Sequence, residues 1–192
     1  SEQARGRAAD PGMVLRDAVS DLFFLHVPKT AGTSFKVACE TLGIPAYHCL
    51  LCEVPPGFRV LTFLREPLAR CLSHYNHAWT HWTPEHEHYD WLHRTRPGPV
   101  EFFEAGLDGI DYNLQSHFLG WSLSGLWWVG IVERYEASLV DLEYRLGVSL
   151  PRARENVSRK RVERCSDGER RHFLRRCQRD LELYREAHRR WG

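Results

Sequence analysis

The chain has 192 residues, 43% of them hydrophobic, which is enough for one packed domain and too few to make two the expectation. Its formal net charge of +1 argues neither for nor against an anionic partner, so any basic site must be local. No run of about eighteen apolar residues occurs and residues 1–10 are polar, so neither a transmembrane segment nor a signal peptide is expected.

Residues 1–20 carry no periodicity and are expected to form a partly disordered extension ahead of a single domain over 21–192. The first strong element is Leu22, Phe23, Phe24, Leu25 and Val27. Such a short apolar run reads as a buried parallel strand, and it must stop at Pro28, which has no N–H to give a ladder. A helical pattern follows at Phe35, Val37, Ala38 and Leu42 and ends at Gly43, after which residues 46–49 read as an edge strand. Residues 58–64, rich in β-branched and aromatic side chains, predict a second long strand. Pro67 suits the first turn of a helix that carries Leu68, Leu72, Tyr75 and Trp79 on one face to about residue 82. Residues 83–98 are polar, hold Pro84, Pro97 and Gly98, and read as an exposed loop of the length used for lids and binding elements. Short helices are predicted over 99–107 and 109–119, a third buried strand over 126–132, and an amphipathic helix over 135–146 stopped by Gly147. A loop from 149 to about 164 leads into a last helix, opened by Ser166 and Glu169 as a capping box and running to about residue 190. Strands alternating with helices predict a three-layer α/β fold around a central parallel sheet. The six cysteines read as free thiols, because a chain of this size does not need staples.

Between the first strand and the first helix lie Lys29, Thr30, Ala31, Gly32, Thr33 and Ser34, which supply a cation, three hydroxyls and a glycine. Unpaired amides and the positive end of a helix dipole converge at such a turn, which makes it an anion site. The spacing is not that of the nucleotide P-loop, whose lysine follows its second glycine; here Lys29 stands three residues before Gly32. Arg65 closes the second long strand and Ser73 lies two helical turns beyond it, so the pair is placed to reach one further anion.

The order His26-Val27-Pro28-Lys29-Thr30-Ala31-Gly32-Thr33-Ser34 resembles the 5′-phosphosulfate loop of the sulfotransferases that use PAPS (3′-phosphoadenosine 5′-phosphosulfate). The likeness is greatest to the carbohydrate branch that includes the heparan sulfate 2-O- and 6-O-sulfotransferases. The stretch 64–75, with Arg65 and Ser73, is similar to that family's 3′-phosphate element, and 111–119 and 128–139 resemble its Asn-x-Gln helix and its third strand with the helix after it. The resemblance implies a P-loop-like sulfotransferase fold and an enzyme that moves a sulfuryl group from PAPS to a hydroxyl of a saccharide acceptor, releasing adenosine 3′,5′-bisphosphate. It implies that Lys29, Thr30, Ala31, Gly32, Thr33, Ser34, Arg65, Ser73 and Arg159 hold the donor, with Lys29 also supporting the leaving phosphate, and that Asn113 and Gln115 meet the substrate. His48, the one histidine between the two phosphate elements, takes the place of the family's base. No metal is expected, since sulfuryl carries less negative charge than phosphoryl and cations of the loop can suffice. No nucleic-acid partner is expected either. A bacterial-type cytoplasmic enzyme fits the short chain, with a trimmed luminal Golgi domain as the alternative.

A different class remains open: a non-catalytic nucleotide- or anion-binding module, or a diverged P-loop kinase. A kinase would need magnesium ligands, and Glu66 is the one acidic residue directly after the second long strand. Trp79, Trp82 and Trp91 flank the 83–98 segment as candidate stacking surfaces for sugar rings. His74, His77 and His81 share a helix face and are followed by His86, His88 and His93, but their spacing fits no compact metal-ligand set, and Cys49 and Cys52 form a lone pair without a second.

Overall fold

A computed structural model describes residues 18–81, 85, 87–106, 110–152 and 165–192. The expectations made for residues 1–17, Trp82, His86, Arg159 and the rest of 153–164 lie outside the described residues. Strand β1 (Leu22–Leu25) is buried at every position, and the chain leaves the sheet before Pro28. Helix α1 (Gly32–Leu42) follows and is closed by Gly43, whose φ of 70° is the left-handed conformation that a residue without Cβ adopts most cheaply. Next come β2 (Ala46–Tyr47), β3 (Arg59–Leu64) and α2 (Pro67–Thr80). Helix α2 has proline in its first turn and the Glu66 carboxylate as N-cap, accepting from the Ala69 amide at 2.7 Å. Helices α3 (Glu87–Thr95), α4 (Pro99–Glu104) and α5 (Leu114–Phe118) lead to β4 (Leu126–Ile131) and α6 (Tyr135–Leu146), and α7 (Asp167–Arg176) and α8 (Gln178–Trp191) end the chain.

The four strands form one sheet in the order β2-β1-β3-β4, and every pairing is parallel. Alternate residues of each strand face opposite ways. Phe24, Leu61, Phe63 and Trp128 pack with Phe35, Ala38, Leu139 and Leu142 of α1 and α6, whereas Phe23, Leu25, Val60, Leu64, Val129 and Ile131 pack with Leu183 and Ala187 of α8. Both faces of the sheet are therefore covered by helices, the arrangement that all-parallel strands require. A third apolar cluster joins α2, α3, α4 and α7 through Tyr75, Leu92, Phe102, Phe103 and Phe173.

Two expectations are corrected. Residues 87–95, read as part of an exposed loop, are helix α3; it turns Leu92 fully inward and packs Trp91 against the third cluster. The last helix is broken at Cys177, whose φ of −89° and ψ of 21° end α7 and start α8 in a new direction. The Ser166–Glu169 capping box forms as expected, with the Glu169 carboxylate accepting from the Ser166 amide at 2.7 Å.

Candidate active site

The strand order fixes where a ligand can lie. The chain runs from β1 out to β2 on one side and comes back to β3 on the other, so the crossovers diverge between β1 and β3, and the carboxyl ends of these two strands are where ligands commonly bind in open parallel sheets. The turn holding Lys29 follows β1 and Arg65 is the first residue after β3, so both lie at those ends. The turn itself is strained: Lys29 has φ 68° and Ala31 φ 60°, left-handed values that residues with a Cβ rarely take. Alternating backbone handedness through residues 29–31 turns successive amides toward one side, and the Gly32 and Thr33 amides at the start of α1 add to them, whereas the Ser34 amide donates to the Ala31 carbonyl at 3.1 Å.

Two cations complete this cradle. Arg65 Nη1 donates to the Lys29 carbonyl at 3.4 Å, which lays the guanidinium on the backbone of the loop. Burial and then the Arg65 charge lower Lys29 to about 8, and burial is also the leading cause that lowers Arg65. Arg65 Nε is buried and meets no hydrogen-bond partner, and among the described residues neither cation forms an ion pair. The Glu133 and Glu66 carboxylates offset part of the effect of burial at Arg65, and like charges held together out of water are unfavourable in an empty protein and favourable around an anion. The hydroxyls divide differently from the expectation. Thr30 is fully buried and donates to the Val27 carbonyl at 2.8 Å, so its side chain braces the turn, while Thr33 is exposed at the start of α1. Ser73 is half-buried on α2, and no hydrogen bond joins it to Arg65, whose guanidinium folds onto the loop instead.

Histidines surround Lys29. His48 is exposed just past β2, its Nδ1 donating to the His26 carbonyl at 2.7 Å and its ring stacked on that of His26 at 3.9 Å. Burial, then His48, Lys36 and Lys29, lower His26 to about 4. On α2, burial and then Lys29 and His81 lower His77 to about 4, and burial with Arg70 and Lys29 lowers His74 to about 3. His26, His74 and His77, all three of which feel the Lys29 charge, are thus neutral at physiological pH. Among the described residues no three His, Cys, Asp or Glu side chains are grouped to hold a metal ion.

Gln115 and Asn113, expected to meet substrate, are engaged by the protein itself. Gln115 is fully buried; its Oε1 accepts from the Arg65 amide at 2.8 Å and its Nε2 donates to the Arg65 carbonyl at 3.0 Å, clamping that peptide. Asp180 of α8 backs the clamp, accepting from Gln115 Nε2 at 3.2 Å and from the Ser116 amide and hydroxyl at 2.7 Å each. Asn113 donates to the Arg176 carbonyl at 2.8 Å and accepts from the Asp180 amide at 3.2 Å. Gln115, backed by Asp180, thus holds the Arg65 peptide, and Asn113 ties its own turn to the junction of α7 and α8. Asp180 escaped notice in the sequence, although an acid on the same helix face as Leu183, Tyr184 and Ala187 is the sign of a buried, fully bonded carboxylate. His26 was read only as part of a motif. Trp79 and Trp91 also turn inward: Trp79 packs on Tyr75 and His93 at 6.2 and 4.8 Å, and Trp91 stacks on His88 at 5.6 Å. Comparison of the chain with protein families, with characterised proteins and with solved structures finds no match.

Proposed function

We propose that the chain transfers a sulfuryl group from PAPS to a hydroxyl of an acceptor, with a saccharide as the acceptor class that its motifs suggest. The observation that carries this reading is the meeting of Lys29 and Arg65, two desolvated cations without an ion-pair partner among the described residues, with the amides of a helix N-terminus at the reversal point of a parallel sheet. PAPS would supply an electrophilic sulfur joined to a phosphate leaving group. The loop amides of residues 29–34 and the Lys29 ammonium bind the phosphosulfate oxygens; Arg65, with Ser73 farther along α2, takes the second phosphate. The acceptor oxygen forms its bond to sulfur as the sulfur–phosphate oxygen bond breaks, the hydroxyl proton passes to His48, and Lys29 stabilises the charge that develops on the phosphate. Glu66 favours this over a magnesium-dependent kinase, because its carboxylate is engaged as the N-cap of α2 through the Ala69 amide.

The test is transfer of radiolabelled sulfate from PAPS to a panel of desulfated polysaccharides. Label in the polysaccharide that disappears in folded Lys29→Ala and His48→Ala variants is the expected result. Tight bisphosphate binding with no label transferred to any hydroxyl acceptor would favour the non-catalytic binding module instead.

A further inference from the structure

Three rings form a column at the carboxyl ends of β1 and β2. Phe24 is fully buried in the core; His26 stacks on it at 5.6 Å and 17°, and the exposed ring of His48 stacks on His26 at 3.9 Å and 30°. The column passes the anion loop, for a Cβ added at Gly32 would fall 1.7 Å from His26 Cδ2 and Nε2, so only glycine leaves room for this ring. The backbone of His26 is bracketed by the same neighbours: its amide donates to the Tyr47 carbonyl at 2.9 Å, and its carbonyl receives His48 Nδ1 at 2.7 Å. A carbonyl can only accept, so the proton of neutral His48 sits on Nδ1. The lone pair is then left on Nε2.

We infer that His26 is the positioning residue of the base: its carbonyl selects the Nδ1–H tautomer of His48, and its ring holds the His48 ring beside the phosphate loop with Nε2 free to take the acceptor's proton. The inference deepens the proposed reaction and rests on His48 being its base. A hydrogen bond on one imidazole nitrogen commonly fixes the chemistry of the other, as it does for metal-bound and catalytic histidines. His26 does not itself compete for the proton. Its ring is pressed against Gly32, and burial together with His48, Lys36 and Lys29 keeps it neutral down to about pH 4. A second charge in the stack would meet the first at van der Waals distance, so a charge on one ring disfavours a charge on the other.

The experiment reads the tautomer and the reaction separately. Nitrogen NMR of protein labelled in histidine, at a pH where His48 is neutral, should show His48 protonated on Nδ1 in the wild type. His26→Ala keeps the carbonyl but removes the ring beneath His48: the tautomers should mix and turnover fall about tenfold or more, with bisphosphate affinity kept within about twofold. His26→Phe restores a ring of similar size and should return the tautomer and most of the turnover. A wild-type His48 protonated on Nε2 overturns the inference, as does a His26→Ala protein with unchanged tautomer and turnover. Parallel loss of bisphosphate affinity and turnover in His26→Ala would overturn it too, by making the ring a support of the loop alone. A wild-type protein with no sulfuryl transfer refutes the proposed reaction, while the tautomer still decides the geometry of the pair.

Discussion

Raising the pH from 7 to 9 should weaken binding of adenosine 3′,5′-bisphosphate about tenfold, and Lys29→Arg should remove most of that dependence. Burial beside Arg65 lowers Lys29 to about 8 in the empty protein, so about nine-tenths of it is charged at pH 7 and about one-tenth at pH 9. A phosphate bound against the ammonium restores its ordinary hold on the proton, so the complex stays charged across the range and the whole loss falls on the free state. The ratio of the two charged fractions gives about 1.4 kcal/mol in binding. The effect on stability has the opposite sign. Between about 8 and the ordinary value of 10.5 the unfolded chain holds more protons at this residue than the folded one, so the empty protein gains stability as pH rises through that window, and below it the penalty of the buried charge is present in full. Isothermal titration at constant ionic strength measures the binding term, and urea melts of the empty protein measure the other. Affinity that is flat from pH 7 to 9 in the wild type, or a slope that survives in Lys29→Arg, would refute the assignment of Lys29 to the anion.

Three other outcomes are expected. Asp180→Asn removes an acceptor that Gln115 and Ser116 share inside the fold, and should lower stability by about 2 kcal/mol in urea melts while weakening bisphosphate binding, because the Arg65 peptide loses its brace. Gly32→Ala sets a methyl group into the His26 ring and should cost about 1–3 kcal/mol of stability, with bisphosphate affinity and turnover falling together; retained affinity would show that the loop tolerates a displaced ring. His48→Ala should leave bisphosphate affinity unchanged and cut turnover by about a hundredfold or more, whereas near-normal turnover at every pH would make His48 a structural residue.

The strands were legible because parallel strands buried on both faces are written as unbroken apolar runs, and 22–25, 59–64 and 126–131 all formed where such runs occur. The strand-to-helix turn was legible for a related reason: β1 stops before Pro28, and Gly32 opens α1 shortly after it. Helix α3 was hidden by its composition, since of its nine residues Leu92 alone is buried and the prolines at 84 and 97 frame it like a loop. The break at Cys177 left no trace because the inward positions 173, 177, 180, 183 and 187 keep a helical period straight through it. Side-chain commitments were the least readable. A polar residue such as Gln115 has the same identity whether it meets a ligand or clamps a peptide, and what decides between them is Arg65 and Asp180, 50 and 65 residues away in the chain.

Titration with adenosine 3′,5′-bisphosphate against AMP and against ATP with magnesium separates a site for two phosphates from a site for one, since Lys29 with the loop amides and Arg65 with Ser73 would each hold a phosphate without a metal ion. The bisphosphate should bind at least about tenfold more tightly than AMP, whether or not magnesium is present, and Arg65→Ala should erase the difference. Equal affinity for ATP with magnesium, or a bisphosphate preference that persists in Arg65→Ala, would contradict a site for two phosphates.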